Sequence, residues 1–200
     1  MTVLTIITYI GVFVFALTGA LKARAFKMDI LGGLVVSFAT AYGGGTLRDL
    51  LIGIRPVNWI NDNIALLLVL AATAFTFLIK ANVNKFRRTI FFTDAVGLGM
   101  FTAAGIEVSL RHGLNNSYAV IMGVITATFG GLIADIFCND VPNLFKKGEL
   151  YATVCALGGV VYLGLRASEL GTRYSLPICV LFVIAARIYS KRKRLSLPQI

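Results

Sequence analysis

Long apolar runs, separated by short polar and mostly basic clusters, set out the plan of the chain. Met1 to Leu21, Ile30 to Leu47, Asn63 to Ile79, Gly113 to Ala134 and Leu150 to Leu165 contain no Asp, Glu, Lys or Arg. Each approaches the roughly 20 residues that a helix needs to cross about 30 Å of hydrocarbon. Two more stretches, around Thr89 to Ile106 and Tyr174 to Tyr189, read as spans that tolerate Asp94 and Arg187 near their ends. The pattern predicts seven transmembrane helices in an all-α polytopic membrane protein, one membrane domain over residues 1–200. Composition agrees: the chain is 58% hydrophobic and 14% charged, with a mean hydropathy of +0.83, a balance that a water-soluble domain could hardly keep in solution.

A net charge of +10 would suit nucleic acid, but the positions of the charges fit a membrane topology instead. Lys22, Arg24 and Lys27, then Lys80, Lys85, Arg87 and Arg88, then Lys146 and Lys147, then Arg187 and Lys191 to Arg194 fall on one face of a seven-span plan. The other face holds Arg55, Arg111, Arg166 and Arg173, and Arg48 lies inside a span. Basic loops stay on the cytoplasmic side, so the amino terminus is expected outside and the carboxyl terminus inside. The basic tail, 191–200, would place Lys191, Arg192, Lys193 and Arg194 against anionic lipid headgroups, each charge contributing about 1 kcal/mol. No nucleic-acid partner is expected. The first run reads as a retained helix, because a cleaved signal carries its positive charge ahead of its apolar core, whereas Lys22 follows it.

The chain also repeats itself. Phe15 and Gly19 recur as Phe101 and Gly105, Thr40-Ala41 as Thr126-Ala127, Gly44-Gly45 as Gly130-Gly131, Asp49 as Asp135 and Pro56 as Pro142, all at one constant offset without a gap. The units span 4–80 and 89–167, with the seventh helix, 173–190, outside them. A unit of three spans is odd, so the second copy enters the membrane from the opposite side, giving two inverted three-helix repeats plus one helix.

Three successive glycines, Gly43-Gly44-Gly45, stand inside the second span, and Gly130-Gly131 answer them in the fifth. Each glycine costs roughly 1 kcal/mol relative to alanine in a helix interior. The expectation is a glycine-kinked second and fifth helix, with freed backbone groups lining a polar pathway near the midplane. Close helix approach through small residues is the alternative reading. Arg48, Asp49 and Asp135 follow the glycines and each cost about 2.5–3.5 kcal/mol at a helix centre, so they must meet a partner or water. An ion pair of Arg48 with Asp49 or Asp135, and a place on an ion pathway, both fit. The candidate pathway residues are Gly43, Gly44, Gly45, Thr46, Arg48, Asp49, Phe129, Gly130, Gly131 and Asp135, with Asp94 and Thr126 in structural or gating roles. Asp94 either caps the fourth helix or orients the neighbouring one.

Other polar groups invite simpler readings. Glu107 and His112 read as solvated helix-end residues. Tyr9, Trp59, Phe91, Phe92, Tyr118, Tyr151 and Tyr189 fit an aromatic belt. Cys138, Cys155 and Cys179 are isolated in apolar runs and read as small packing residues, without metal-ligand spacing. No Ser/His/Asp set, metal cluster or phosphate loop appears, so an enzyme is not expected.

The run Gly43 to Asp49, followed by Gly53 and Pro56-Val57-Asn58-Trp59, resembles the signature of the bacterial UPF0126 membrane proteins. That family has duplicated glycine-rich domains, also labelled glycine transporters, and is similar to the trimeric intracellular cation (TRIC) channels. Phe15 to Ala23, Asp94 to Gly99, Gly148 to Ala152 and Leu195 to Pro198 extend the resemblance nearly end to end. It implies a homotrimer in the inner (plasma) membrane, each protomer with its own pore for potassium and other monovalent cations along the second and fifth helices, and no cofactor. A transporter of glycine or a similar small solute is the alternative. One departure stands out: the family's second motif carries an arginine where this chain has Ala134, which leaves Arg48 alone with two aspartates.

Overall fold

The computed structural model describes residues 2–78, 83–146, 150–168 and 171–198. Lys80, Lys147, Gly148, Glu149 and the last two residues of the tail lie outside the described residues, as does the side chain of Lys85. Seven helices follow one another: α1 (Val3–Ala25), α2 (Ile30–Leu51), α3 (Asn63–Leu78), α4 (Val83–Arg111), α5 (Asn116–Phe137), α6 (Tyr151–Ala167) and α7 (Gly171–Lys193). Helices α1, α2, α4, α5 and α7 are long and apolar enough to cross a membrane, while α3 and α6 are shorter apolar helices.

Helix starts and stops obey the sequence repeat. The side chain of Asp29 caps α2 by accepting the Gly32 N–H, and Asn115, its counterpart at the same offset, caps α5 by accepting the Tyr118 N–H. Each supplies a partner to a backbone donor that a helix N-terminus leaves open. Left-handed backbone recurs in the same register. Lys27 has φ 57° where Gly113 has φ 84°, and Gly53 has φ 79° where Asn139 has φ 51°. In each pair one half uses glycine and the other a residue with a side chain, so the turn itself is what the halves share.

Glycines set how closely the central helices approach. α1, α2, α4 and α5 pack on one another, α3 lies on α1 and α2, and α6 and α7 lie on α4 and on each other. A methyl group at Gly44 would overlap the Thr126 carbonyl oxygen of α5, and one at Gly130 would overlap the Thr40 carbonyl oxygen of α2. The two are counterparts, so α2 and α5 cross backbone to backbone. Gly19 meets Thr40 Oγ1 and Gly105 meets Thr126 Oγ1, at 2.5 and 2.6 Å from an added Cβ. Such small-residue contacts hold helices together where lipid removes most of the hydrophobic drive. Phe15 and Phe101, also counterparts, meet between α1 and α4 with centroids 5.0 Å apart.

The glycine runs make no gap in the helices. α2 and α5 continue as α-helix through Gly43-Gly45 and Gly130-Gly131, and the glycines serve close crossing rather than freeing carbonyls. Asp94 likewise caps nothing, since α4 begins at Val83 and carries it in its interior.

Candidate functional site

α2 and α5 each carry, in the last turn, an aspartate that binds the loop beyond. Asp49 Oδ2 accepts the Asn58 N–H at 2.9 Å, and Asp135 Oδ2 accepts the Asn143 N–H at 2.9 Å. The remaining oxygens take cations from different places. Asp49 Oδ1 accepts from Arg48 Nε and Nη2, at 2.9 and 2.7 Å, within its own helix. Asp135 Oδ1 pairs with Lys22 Nζ of α1 at 2.6 Å. All four groups are buried.

This corrects the picture of Arg48 standing alone with two aspartates. A buried carboxylate needs a cation nearby, and where Ala134 removes it from α5, Lys22 brings it from α1. The charge pattern places Lys22 in a basic loop, whereas its spacing from Phe15 and Gly19, seven and three residues back, puts it on the buried face of α1.

Two cavities flank the α2–α5 crossing. One, of about 350 Å³, lies where the start of α1, the end of α2, the start of α3 and the end of α4 converge, and Tyr9, Tyr42, Gly45, Arg48, Asp49, Asn58, Trp59, Asp62 and Arg111 face it. Tyr42 stacks on Trp59 with centroids 5.2 Å apart, and Trp59 Nε1 donates to Thr46 Oγ1 at 2.8 Å. The other, of about 490 Å³, lies at the end where Lys22, Arg87, Asp94, Asp135, Asp140, Lys146, Arg187 and Lys191 converge. Its charges are matched in part: Lys146 pairs with Asp140 at 2.9 Å, and Lys191 Nζ lies 4.0 Å from the Phe91 centroid.

The remaining sequence candidates fall as follows. Gly43 packs on Ile133 of α5, while Gly45 faces the first cavity, with Arg48 Nη2 as its nearest neighbour at 3.9 Å. Thr126 turns its hydroxyl to the Met122 carbonyl at 2.6 Å, and Phe129 lines neither cavity. Gly131 faces Tyr151 of α6 and Asp94 of α4. Arg192, Lys193 and Arg194 are exposed.

Three groups that the sequence places at helix ends or interfaces are interior. Glu107 is 2% exposed and holds Arg111 at 2.7 Å, Arg166 at 2.9 Å and the Tyr162 hydroxyl at 2.5 Å. Arg187, expected near the end of the seventh span among the charges of the basic face, is buried between the rings of Phe91 and Tyr151, 5.3 and 4.9 Å from their centroids. Tyr151, assigned to the aromatic belt, is buried and donates to Asp94 Oδ1 at 2.9 Å. The periodicity of α6 carried this last signal, for Tyr151, Val154, Cys155, Gly158, Gly159 and Tyr162 share its buried face. His112 is exposed as expected, and all three cysteines are free and buried.

A family model described as "Glycine transporter" matches the chain twice, over residues 5–81 and 91–167. The chain is 35% identical over 198 residues to a UPF0126 membrane protein of Vibrio cholerae, covering 98% of this chain and 82% of that one. It is 34% identical over 154 residues to the UPF0126 inner membrane protein YadS of Escherichia coli, covering 76% and 74% of the two chains. Among solved structures it is similar to the TRIC trimeric intracellular cation channel orthologue from Rhodobacter sphaeroides, with a TM-score of 0.89, 32% identity and coverage of 98% of this chain and 100% of that one.

Proposed function

We propose, from the premise that this chain belongs to the family of UPF0126 membrane proteins and prokaryotic TRIC channel orthologues, that it is a cation channel permeable to potassium and other monovalent cations. The protein is a multi-pass protein of the inner membrane. Within the proposal, all seven helices span it, as two inverted repeats of three helices and a seventh helix, with the amino terminus outside and the basic tail in the cytoplasm against anionic lipid. It assembles as a homotrimer, as the likeness to the trimeric channel orthologue from Rhodobacter sphaeroides supports, and each protomer carries its own pathway.

The observation that carries this reading is the pair of cavities at opposite ends of the bundle, each with ionisable groups in its wall that include the equivalent aspartate, Asp49 or Asp135. Ionisable groups at membrane depth are costly, and they persist where they face a water-filled route or one another. Here they do both. A permeant cation enters a cavity whose aspartate is paired with Arg48 or Lys22, so it meets no bare carboxylate that would trap it, which conduction requires. The α2–α5 crossing at Gly44 and Gly130 separates the cavities, and the glycine-rich stretches are where these helices can kink to widen the route. No resident cofactor enters the scheme.

A second reading, a secondary transporter of glycine or a similar small solute, is favoured by the description of the matching family model and by two cavities that suit alternating access. Recording from purified protein in planar bilayers, beside glycine uptake into proteoliposomes, separates the two. Unitary potassium currents are expected; saturable glycine uptake without unitary currents overturns the channel.

A further inference from the structure

The two halves differ at a place where the repeat should make them alike. At the constant offset Gly45 answers to Gly131, Thr8 to Asp94 and Ala65 to Tyr151. In the first half these positions leave space: Thr8, Gly45 and Ala65 all line the first cavity. In the second half the same space is filled. A methyl group at Gly131 would lie 2.5 Å from Tyr151 Oη, the hydroxyl is bound to Asp94, and Arg187 lies over the other side of the system, 4.9 Å from the ring centroid. Arg187 has no counterpart in the first half, because α7 lies outside the repeat. Asp94 itself lines the second cavity, so the tyrosine bound to it stands directly behind the cavity wall on that side.

We propose that Tyr151 is a plug that closes the pathway at its basic end, and that Asp94 and Arg187 are the positioning residues that hold it shut. The inference rests on the pathway reading above. A tyrosine suits this task, since its ring fills the volume beside Gly131 while its hydroxyl needs a partner when buried. Asp94 is such a partner and also faces the cavity, where water can compete for it. Withdrawal of the ring would give the second half the space that Ala65 leaves in the first. The residue then reached is Thr128, the counterpart of Tyr42 in the first cavity's wall, which is 1% exposed in the closed form.

Thiol accessibility tests the plug apart from conduction. In purified protein with Cys138, Cys155 and Cys179 replaced by alanine, Thr128→Cys is treated with a small water-soluble thiol reagent. Adding Tyr151→Ala should raise the labelling rate by on the order of tenfold or more, while Tyr151→Phe, which keeps the ring volume, should change it by less than about threefold. Asp94→Asn, which weakens the hold on the hydroxyl without removing volume, should also speed labelling, and it serves if Tyr151→Ala does not fold. Potassium efflux from proteoliposomes should rise in the same variants. Faster labelling without potassium flux in any protein, wild type included, keeps the plug and removes the channel. Unchanged labelling in a folded Tyr151→Ala protein, or in Asp94→Asn if that is the only one to fold, overturns the plug whatever the flux.

Discussion

Replacing Lys22 by methionine isolates the charge that Ala134 made necessary. The methionine keeps most of the apolar stem of the lysine, so packing on α5 survives and the ammonium is what disappears. Lys22 Nζ and Asp135 Oδ1 are 2.6 Å apart, with side chains 6% and 4% exposed. Two unit charges at that distance attract by roughly 6 kcal/mol at an effective dielectric of 20. Desolvation consumes much of this when the pair forms, but removal of one partner leaves the other charge buried, and such losses run to about 3–5 kcal/mol. The Asn143 N–H still serves Asp135 Oδ2, which favours the lower end. At about 2–4 °C per kcal/mol for a chain of this length, Lys22→Met should lower the melting temperature by roughly 10 °C. The assay is thermal melting of the detergent-purified protein, followed by size exclusion. Lys22→Met with Asp135→Asn removes the orphaned charge and keeps an acceptor for Asn143, so it should recover most of the loss. A single variant that melts with the wild type refutes the reasoning, and so does a double variant no more stable than the single.

The glycine run gives a paired prediction. Gly44→Ala drives a methyl group into the Thr126 carbonyl and should cost about 3 kcal/mol by overpacking, whereas Gly45→Ala faces open cavity and should be neutral or stabilising by up to about 1 kcal/mol through helix propensity; unfolding in graded detergent mixtures ranks them, and equal losses would place the helix crossing elsewhere. Glu107→Gln should cost about 1–2 kcal/mol in the same assay, because Arg111 and Arg166 are partly exposed and stay hydrated while Tyr162 keeps an acceptor. A loss near zero would mean that Glu107 does not tie α4 to α6.

Periodicity and the repeat were enough to place all seven helices and the equivalence of Asp49 with Asp135. These depend on residues close in sequence, whose helical phase and backbone conformation are local properties. Which cation faces Asp135 is not local. Ala134 announced a missing charge, but its replacement came from Lys22, more than a hundred positions away, and only the packing of α1 on α5 could select it. The two readings of the glycines stay undecided in the sequence for a related reason. A helix interior tolerates them either at a break or at a close crossing, and the difference lies in whether a partner backbone arrives, as those of Thr126 and Thr40 do here. Tyr151 is the clearest instance. Its sequence neighbourhood suited an interfacial aromatic, yet α4, α5 and α7 converge to give it Asp94, Gly131 and Arg187, because tertiary packing decides which of two repeat-equivalent spaces is filled and which stays open.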